Sequence, residues 1–186
     1  MKKKLVIFDC FGVIFDEVAP IFFKDHFDEE TAARLKDKFF IPADLGEVTL
    51  DELFQNMSEE LGIKKDYISS QWYERAKVRE YMIGAVEKIR EKADVALLSN
   101  APLGFVEEIF EKNKLTRLFD KMFVSSALKM AKPDPAFYLH CVESFGKDYD
   151  EIYMIDDNWS NLKNLREIGI VPILFESEES LKEINL

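Results

Sequence analysis

The stretch LVIFDCFGV, residues 5–13, carries the strongest structural signal in the sequence. Its first four residues are apolar without alternation, which predicts a fully buried strand of a parallel sheet. Asp9 then stands at the carboxyl end of that strand, the end that faces the ligand crevice in open α/β sheets. Gly12 allows a sharp turn and brings backbone close to whatever Asp9 meets. Asp9 is therefore a candidate metal ligand or nucleophile, although aspartates after strands also serve as turn residues and helix caps.

Further short apolar runs predict more strands of the same sheet. They lie at 95–98, 121–124, 152–155 and 171–175 and alternate with helical stretches. Strands that alternate with helices in this way predict a parallel sheet with right-handed crossovers. Pro172 places the last strand near an edge of the sheet. The predicted fold class is α/β, with a Rossmann-like parallel sheet in a three-layer α/β/α core.

The chain between the first strand and residue 81 has a helical pattern and no convincing buried strand. One helix is predicted from Glu29 and ends before Pro42, because proline cannot continue the hydrogen-bond ladder. Thr49 and Glu52 form a capping-box pattern at the start of another helix. The sequence therefore predicts a core domain made of residues 1–16 and 81–186. A helical cap domain, 17–80, is inserted after the first strand. In the second half, one helix is predicted over 161–168 and closed by Gly169.

The composition describes a globular protein and limits its partners. The chain has 186 residues, 47% of them hydrophobic, and a formal net charge of −11. That length suits one domain with an insertion. The negative charge repels phosphate backbones, so nucleic acid is not expected as a partner. A small anionic substrate would need a local metal ion or lysine. The sequence predicts no oligomeric state.

The amino terminus begins like a signal peptide, with lysines at 2–4 before an apolar run. Asp9 interrupts that run and no small-residue cleavage site follows, so the lysines are interpreted as a solubilising tail. No stretch approaches the roughly eighteen uncharged apolar residues of a membrane span. Cys10 and Cys141 lie far apart in apolar contexts, which favours free thiols in a reducing cytoplasm and leaves a disulfide open. The sequence predicts a cytoplasmic protein without a membrane partner.

Polar clusters follow the predicted strands. They are Asp9, the pair Ser99-Asn100, the run KPDP at 132–135, and the pair Asp156-Asp157. In a parallel sheet these clusters meet at one edge. Mg²⁺ prefers a few carboxylate oxygens together with substrate phosphate, and a lysine beside it helps to neutralise a phosphoryl group. The sequence therefore predicts a site for Mg²⁺ and a small anionic substrate.

In this order the clusters resemble the four motifs of the haloacid dehalogenase-like hydrolase superfamily. The first motif is FDCFGV at 8–13 and the second is LLSN at 97–100. The third is KPDP at 132–135, and the fourth is IDD at 155–157 with Asn161. The insert resembles the helical cap that subfamily I of this superfamily carries between the first and second motifs.

The resemblance implies a phosphatase mechanism with named catalytic residues. Asp9 would be the nucleophile and form an aspartyl-phosphate. Ser99 would hydrogen-bond the transferring group. Lys132 would orient Asp9 and neutralise charge.

The resemblance also implies the binding residues. Asp9, Asp157 and the backbone carbonyl of Phe11 would bind Mg²⁺, and Asp156 would assist. Asn100, Phe11 and Gly12 would contact the substrate.

Phe11 departs from the family pattern. Phosphatases of the family usually have a second aspartate two residues after the nucleophile, which protonates the leaving oxygen and then activates water. Phenylalanine does neither, and general acid–base catalysis is typically worth about 10²–10⁴ in rate. The resemblance therefore implies a phosphatase of a small phosphorylated metabolite whose activity is weak or whose acid comes from the cap or the substrate.

Two alternatives to a phosphatase stay open. The family's 2-haloacid dehalogenases have an aromatic residue, usually tyrosine, at the place of Phe11, and halide leaves without a proton. They work without metal, however, and have serines and an asparagine where this chain has Asp156 and Asp157. A non-catalytic binding protein that keeps the fold and the metal site is the second alternative. Asp9, Ser99, Lys132 and Asp157 are all retained together, which favours the enzyme.

Several polar residues near the motifs also have structural interpretations. Asp134 is expected to cap the helix that begins at Pro135, and the pair Ser99-Asn100 would suit a cap as well. Asn158 and Asn161 are interpreted as a cap and a helix-surface residue.

The insert is expected to have a core of its own, which includes Trp72, Tyr73 and Phe54. Its basic residues are interpreted mainly as a solvated face, with one unidentified member left open as a substrate contact. These residues are Lys24, Arg34, Lys64, Arg75 and Arg79.

Overall fold

A parallel sheet forms the centre of the protein in the computed structural model, which describes residues 3–186. Its five strands lie in the order β3-β2-β1-β4-β5, and every neighbouring pair is parallel. In chain order they are β1 (Lys4–Phe8), β2 (Asp94–Ser99), β3 (Lys121–Val124), β4 (Glu151–Asp156) and β5 (Val171–Leu174). The predicted α/β sheet is confirmed, with β5 at an edge. Residues 1 and 2 of the predicted tail and core domain lie outside the described residues.

Between β1 and Val78 the described residues form four α-helices and no strand of the sheet. They are α1 (Ala19–His26), α2 (Glu29–Asp44), α3 (Leu50–Leu61) and α4 (Lys65–Arg75). Thr49 caps α3 through the predicted capping box with Glu52, and Gly62 ends that helix in the left-handed conformation. Trp72 is 1% exposed and stacks on Phe40 with 5.3 Å between the ring centres. Trp72 therefore belongs to the core of the insert, as expected.

The helix α2 continues past Pro42, so the prediction that it ends there is wrong. Proline removes one helical hydrogen bond because it has no N–H. The N–H groups of Leu45 and Glu47 still donate to the carbonyl oxygens of Ile41 and Pro42, at 3.2 and 2.8 Å. The ring of a helical proline crowds the carbonyl group four residues earlier, here that of Lys38, so a proline this close to the end of α2 disturbs only its last two turns. The added turn places Asp44 at the end of the helix.

Helices cover both faces of the sheet, which gives the predicted three layers. The other described α-helices are α5 (Glu80–Arg90), α6 (Phe105–Lys112), α7 (Ser125–Leu128), α8 (Pro135–Ser144) and α9 (Trp159–Leu162). Val6 and Phe8 of β1 pack into one hydrophobic cluster with residues of α5 and α6. Leu5 and Ile7 pack into another cluster with residues of α8 and α9. Both faces of β1 are buried, which explains its unbroken apolar sequence. Among the described helices, none combines the length and apolar character that crossing a membrane requires.

The single helix predicted over 161–168 is also wrong. The helix α9 ends at Leu162, and Asn164 adopts a left-handed φ of +68°. A 3₁₀ turn then runs over Leu165–Ile168 and ends at Gly169. A left-handed residue in the middle of the segment interrupts the hydrogen-bond ladder, so two short turns form instead of one helix.

The two segments that join the helical insert to the sheet are bonded to each other. The Asp16 N–H donates to the carbonyl oxygen of Lys77 at 2.8 Å, and the Arg79 N–H donates to that of Ile14 at 2.9 Å. The Arg79 guanidinium donates to Oδ1 of Asp16 at 3.0 Å and to the carbonyl oxygen of Gly12. Arg79 is therefore half-buried beside the first motif and does not belong to a solvated face.

Candidate active site

Asp9 lies directly beyond β1, at the carboxyl edge of the sheet where it was predicted. Its N–H donates to the carbonyl oxygen of Ile155 on β4 at 2.8 Å, so its backbone is still held by the sheet. Its Oδ1 accepts from the Cys10 N–H at 2.6 Å and lies 2.8 Å from Nζ of Lys132. The same Nζ lies 2.6 Å from Oδ2 of Asp156. A buried lysine thus connects the ends of two neighbouring strands.

Asn100, the residue after β2, holds Lys132 in place. Its Nδ2 donates to the carbonyl oxygen of Lys132 at 2.9 Å, and the Lys132 N–H donates to its Oδ1 at 2.8 Å. Two hydrogen bonds to the backbone of one residue fix the loop that carries the lysine. Asn100 also lines the cavity described below, so both a positioning role and the predicted substrate contact are open to it.

Asp156, the last residue of β4, is fully buried, and both of its carboxylate oxygens are bonded. Besides Lys132, it accepts from the Asn158 N–H at 2.8 Å and from Nδ2 of Asn161 at 3.1 Å. Asn161 is therefore more than a helix-surface residue, because α9 folds back over the end of β4. Asn158 caps α9 as predicted, accepting from the Ser160 N–H at 3.0 Å.

Three carboxylates converge at this edge of the sheet. Asp9, Asp156 and Asp157 each offer one oxygen, and these oxygens lie within 4.8 Å of one another. Gly12 packs against this cluster: a Cβ on Gly12 would lie 2.1 Å from Oδ2 of Asp157, and its φ is +80°. Carboxylate oxygens that converge in this way are the donors that Mg²⁺ takes in proteins. The residues present therefore fit the predicted ion.

We expect Gly12→Ala to lower the affinity for Mg²⁺ by at least about tenfold, because the new methyl group would displace the Asp157 carboxylate. Gly169→Ala is the matched control: its φ is +79° and a Cβ there meets nothing within 4 Å. Both variants carry the left-handed backbone cost of about 1–2 kcal/mol. Isothermal titration calorimetry with Mg²⁺ measures the difference. Equal affinities in the two variants would show that the close packing of Gly12 on Asp157 has no bearing on metal binding.

Burial dominates the electrostatics of the carboxylate cluster. Burial raises the pKa of Asp9 well above its ordinary value, the Asp156 carboxylate raises it further, and the Lys132 ammonium opposes both. Burial opposes the charge of Lys132 as well, but Asp156 and Asp9 outweigh it and the pKa of the lysine is raised. The pKa of Asp157 is also raised, chiefly by burial. The cluster holds more negative charge than Lys132 neutralises, which favours a bound cation.

The cluster opens into a cavity of about 290 Å³ between the sheet edge and the helical insert. The sheet side of the wall includes Asp9, Phe11, Asn100, Lys132 and Asp157. The insert side includes Glu17, Lys36, Phe40, Asp44 and Trp72. Charges of both signs next to aromatic surface suit a small anionic molecule that also has an apolar portion.

Phe11 forms part of the aromatic wall. Its ring stacks on that of Phe105, with 5.7 Å between the ring centres and 13° between the planes. Tyr73 of α4 packs edge-on against Phe105, with 5.3 Å between the two ring centres. Position 11 therefore presents an aromatic face to the cavity and no proton donor.

Ser99 differs from the other predicted site residues. It is fully buried at the end of β2 and is not among the described residues that line the cavity. Its Oγ lies 3.5 Å from the carbonyl oxygen of Asn100. The hydrogen bond from Ser99 to a transferring group stays a prediction.

The sequence analysis missed the charged residues of the insert that line the cavity, which are Glu17, Lys36, Asp37 and Asp44. Burial raises the pKa of Glu17 to about 7, and the Asp157 carboxylate adds to the shift. Burial also raises the pKa of Asp44 to about 7, against the opposing charges of Lys36 and Lys132.

One signal could have identified part of this set. Lys36, Phe40 and Asp44 are spaced i, i+4 and i+8, which places them on one face of a helix. That face was cut short because the predicted helix ended before Pro42. Glu17 belongs to no such helical pattern. The one available signal was that it follows the first motif closely in the sequence.

A protein-family model described as haloacid dehalogenase-like hydrolase matches residues 3–169. Among curated proteins, flavin mononucleotide hydrolase 1 of Arabidopsis thaliana is 31% identical over 105 residues, which cover 54% of this chain and 42% of that protein. Drimenol cyclase drtB of Aspergillus calidoustus is 31% identical over 65 residues, 35% of this chain and 12% of that protein. The chain thus spans well under two thirds of the length of the curated relatives it matches.

Solved structures resemble the whole chain. A HAD family enzyme from Bacteroides thetaiotaomicron has a TM-score of 0.79 and 25% identity, covering 98% of both chains. An Asp-to-Ala mutant of that enzyme, in complex with magnesium and inorganic phosphate, has a TM-score of 0.76 and 26% identity over 94% of this chain and 95% of that chain. L-2-haloacid dehalogenase from Xanthobacter autotrophicus has a TM-score of 0.66 and 19% identity over 98% of this chain and 82% of that chain, which shows a shared fold alone.

Proposed function

The chain belongs to the haloacid dehalogenase-like hydrolase family, and from this premise we propose that it is a magnesium-dependent phosphohydrolase of a small phosphorylated metabolite. One observation carries the proposal: the oxygens of Asp9, Asp156 and Asp157 converge within 4.8 Å at the carboxyl edge of the sheet. A phosphoryl group bound there would lie beside the buried ammonium of Lys132. The magnesium and phosphate complex of the Bacteroides enzyme supports the proposal by similarity.

The reaction would proceed through Asp9 in two steps. A carboxylate oxygen of Asp9 attacks phosphorus, a bond forms between them, and the bond from phosphorus to the leaving oxygen breaks. Water then attacks the phosphorus of the aspartyl-phosphate, which releases inorganic phosphate and restores Asp9. Lys132 orients the nucleophile through its 2.8 Å contact with Oδ1. It also offsets negative charge on the transferring group.

The metal would be held by Asp9, Asp157 and the backbone carbonyl of Phe11. Asp156 would assist in holding the metal and would not be a main ligand, because its oxygens already accept hydrogen bonds from Lys132 and Asn161. Bound at this place, Mg²⁺ would offset the repulsion among the carboxylates and withdraw charge from the phosphoryl oxygens. Gly12 leaves room for the Asp157 carboxylate. A cavity of about 290 Å³ suits a small anion as substrate, and the net charge of −11 disfavours nucleic acid as a partner.

A substrate screen tests the proposal. The purified protein is offered phosphorylated metabolites and 4-nitrophenyl phosphate, with Mg²⁺ or with EDTA, and phosphate release is measured. We expect turnover that requires Mg²⁺. Halide release from 2-haloacids without metal would instead support a dehalogenase, and binding without turnover on every substrate would support a non-catalytic protein.

Cys10 and Cys141 are both free thiols, which agrees with the proposed cytoplasmic location.

We expect Phe11→Asp to raise kcat for phosphomonoesters by about tenfold or more, because position 11 faces the cavity and general acid–base catalysis is worth up to about 10⁴. Loss of the Phe11–Phe105 stack would cost about 1 kcal/mol of stability. Phe11→Asn is the matched control, since it removes the same ring and adds no titratable proton. Steady-state kinetics with phenyl phosphate separates them. An equal response of both variants would contradict this account of position 11.

A further inference from the structure

We propose that Asp44 supplies the acid and base that position 11 lacks. The inference rests on the proposed phosphoryl transfer at Asp9 and assigns a further catalytic residue to the same cavity. The last turn of α2 brings the Asp44 side chain to the cavity wall that also contains Asp9 and Lys132. Asp44 therefore lines the same cavity as the proposed nucleophile, and we place the leaving group between the two.

The end of α2 is anchored to the core beside the site, so Asp44 does not depend on a loose loop. Gly46, two residues further on, approaches α7 so closely that a Cβ on it would lie 2.4 Å from the carbonyl oxygen of Ser126. Its φ of +68° suits glycine. This contact fixes the last turn of α2 against the core.

The carboxyl group of Asp44 forms no contact that stabilises the fold among the described residues. Within residues 3–186 no hydrogen bond or salt bridge engages it, although the residue is half-buried. Other acids near the site do have such partners: Asp156 accepts from Lys132, and Asp16 pairs with Arg79. An acid that is partly removed from water at a cavity wall and has no protein partner is available to a ligand in that cavity.

The charges around Asp44 suit proton transfer near neutral pH. Burial raises its pKa to about 7, and Lys36 and Lys132 oppose that shift. Both protonation states are then populated at neutral pH, as a group that donates and later accepts a proton requires. The charged groups that share its cavity are Lys36, Asp37, Lys132, Asp9, Glu17 and Asp157.

Glu17 is the other buried acid of the insert, but its position serves a different purpose. The charge of Asp157, a proposed metal ligand, adds to the burial that raises the pKa of Glu17. We therefore assign Glu17 to the metal side of the cavity and Asp44, which is influenced by Lys36 and Lys132 instead, to the leaving-group side. The two residues predict different defects when they are substituted.

The proton balance of the reaction follows from these positions. As Asp9 forms its bond to phosphorus, protonated Asp44 gives its proton to the leaving oxygen and becomes a carboxylate. In the second step the Asp44 carboxylate takes a proton from the attacking water. The phosphate then leaves, Asp9 is restored as a carboxylate, and Asp44 is again protonated.

The test compares Asp44→Asn with wild type on two substrates of similar shape, phenyl phosphate and 4-nitrophenyl phosphate, in saturating Mg²⁺. Phenolate needs a proton to leave and 4-nitrophenolate needs little help. We expect kcat/KM to fall by about 10²-fold or more on phenyl phosphate and by less than about tenfold on 4-nitrophenyl phosphate. Acid-quenched samples of Asp44→Asn should accumulate phosphoenzyme from 4-nitrophenyl phosphate, because water attack is slowed. Glu47→Gln, an exposed acid just beyond the same helix, is the control and should match wild type.

Two further measurements separate catalysis from folding. The kcat/KM of wild type for phenyl phosphate should fall above about pH 7, because Asp44 loses the proton it must donate, and this fall should be absent in Asp44→Asn. Phe11→Asp should raise the activity of Asp44→Asn more than that of wild type, because it supplies the acid that Asp44→Asn has lost, whereas wild type already has Asp44.

The outcomes distinguish this inference from the proposed function. Equal losses on both substrates without phosphoenzyme, or the same leaving-group dependence in Glu17→Gln alone, would overturn the role of Asp44 and leave the phosphohydrolase intact. A wild-type protein that transfers phosphate from neither substrate would overturn both.

Discussion

Asp9→Asn is expected to abolish phosphatase turnover, with a loss of at least about 10⁴-fold, or about 5.4 kcal/mol in the activation barrier. The amide is nearly the same size as the carboxylate but is a far weaker nucleophile. Its oxygen can still accept from the Cys10 N–H and from Lys132, the two contacts that Oδ1 makes now. The geometry of the site should therefore survive, and phosphoenzyme should no longer form.

The same substitution should leave the metal-free protein at least as stable as wild type. Burial and the Asp156 carboxylate raise the pKa of Asp9, so its charge is unfavourable in the folded state. A group whose pKa is raised on folding destabilises the protein as pH rises through that range, and the amide removes the effect. Urea unfolding at pH 8 in EDTA measures this. Asp134→Asn is the control for activity, because Asp134 is exposed and only caps α8. Retained turnover in Asp9→Asn would exclude Asp9 as the nucleophile.

Lys132→Met is expected to lower the free energy of unfolding by about 3–5 kcal/mol at neutral pH. The lysine side chain is 1% exposed and lies 2.8 Å from Asp9 and 2.6 Å from Asp156, which is also buried. Methionine fills much of the same volume but leaves both carboxylates without their cation. The destabilisation should be larger at pH 8 than at pH 5, because the pKa of Asp9 rises further and a protonated carboxyl no longer needs a cation.

Lys147→Met is the matched control for this loss. Lys147 also lies 2.6 Å from an aspartate, Asp94, but its side chain is 38% exposed. Because the Lys147 ammonium is partly in water and the buried Asp94 carboxylate keeps its hydrogen bond from Tyr149, this variant should lose no more than about 1 kcal/mol. Urea unfolding of both variants in EDTA at pH 5 and pH 8 gives the comparison. A loss below about 1 kcal/mol in Lys132→Met would mean that water or another cation replaces the lysine.

The sequence predicted the core of the site because its residues follow strands. In a parallel sheet the carboxyl ends of all strands lie at one edge, so Asp9, Asn100 and Asp156 had to meet once the strands were recognised. Lys132 was predicted from the third motif and indeed bridges Asp9 and Asp156. The site residues of the insert were harder to predict, because a helical pattern does not indicate which face of a helix lies toward the active site.

Two local errors show where sequence patterns are insufficient. The rule that proline ends a helix excluded the last turn of α2, yet packing against the core maintains that turn and with it Asp44. Asn161 was interpreted as a surface residue because it follows the fourth motif in a helical stretch. In the structure α9 is only one turn long and folds back, so Asn161 bonds Asp156.

The sequence by itself determined the parallel sheet, the position of its first strand and the residues at the edge of that sheet. It could do so because apolar runs and strand ends are local features whose meeting place follows from parallel pairing. Only the tertiary structure decided which side chains of the helical insert face Asp9. That choice depends on how α2 lies against α7, a contact between segments about eighty residues apart that no local pattern encodes.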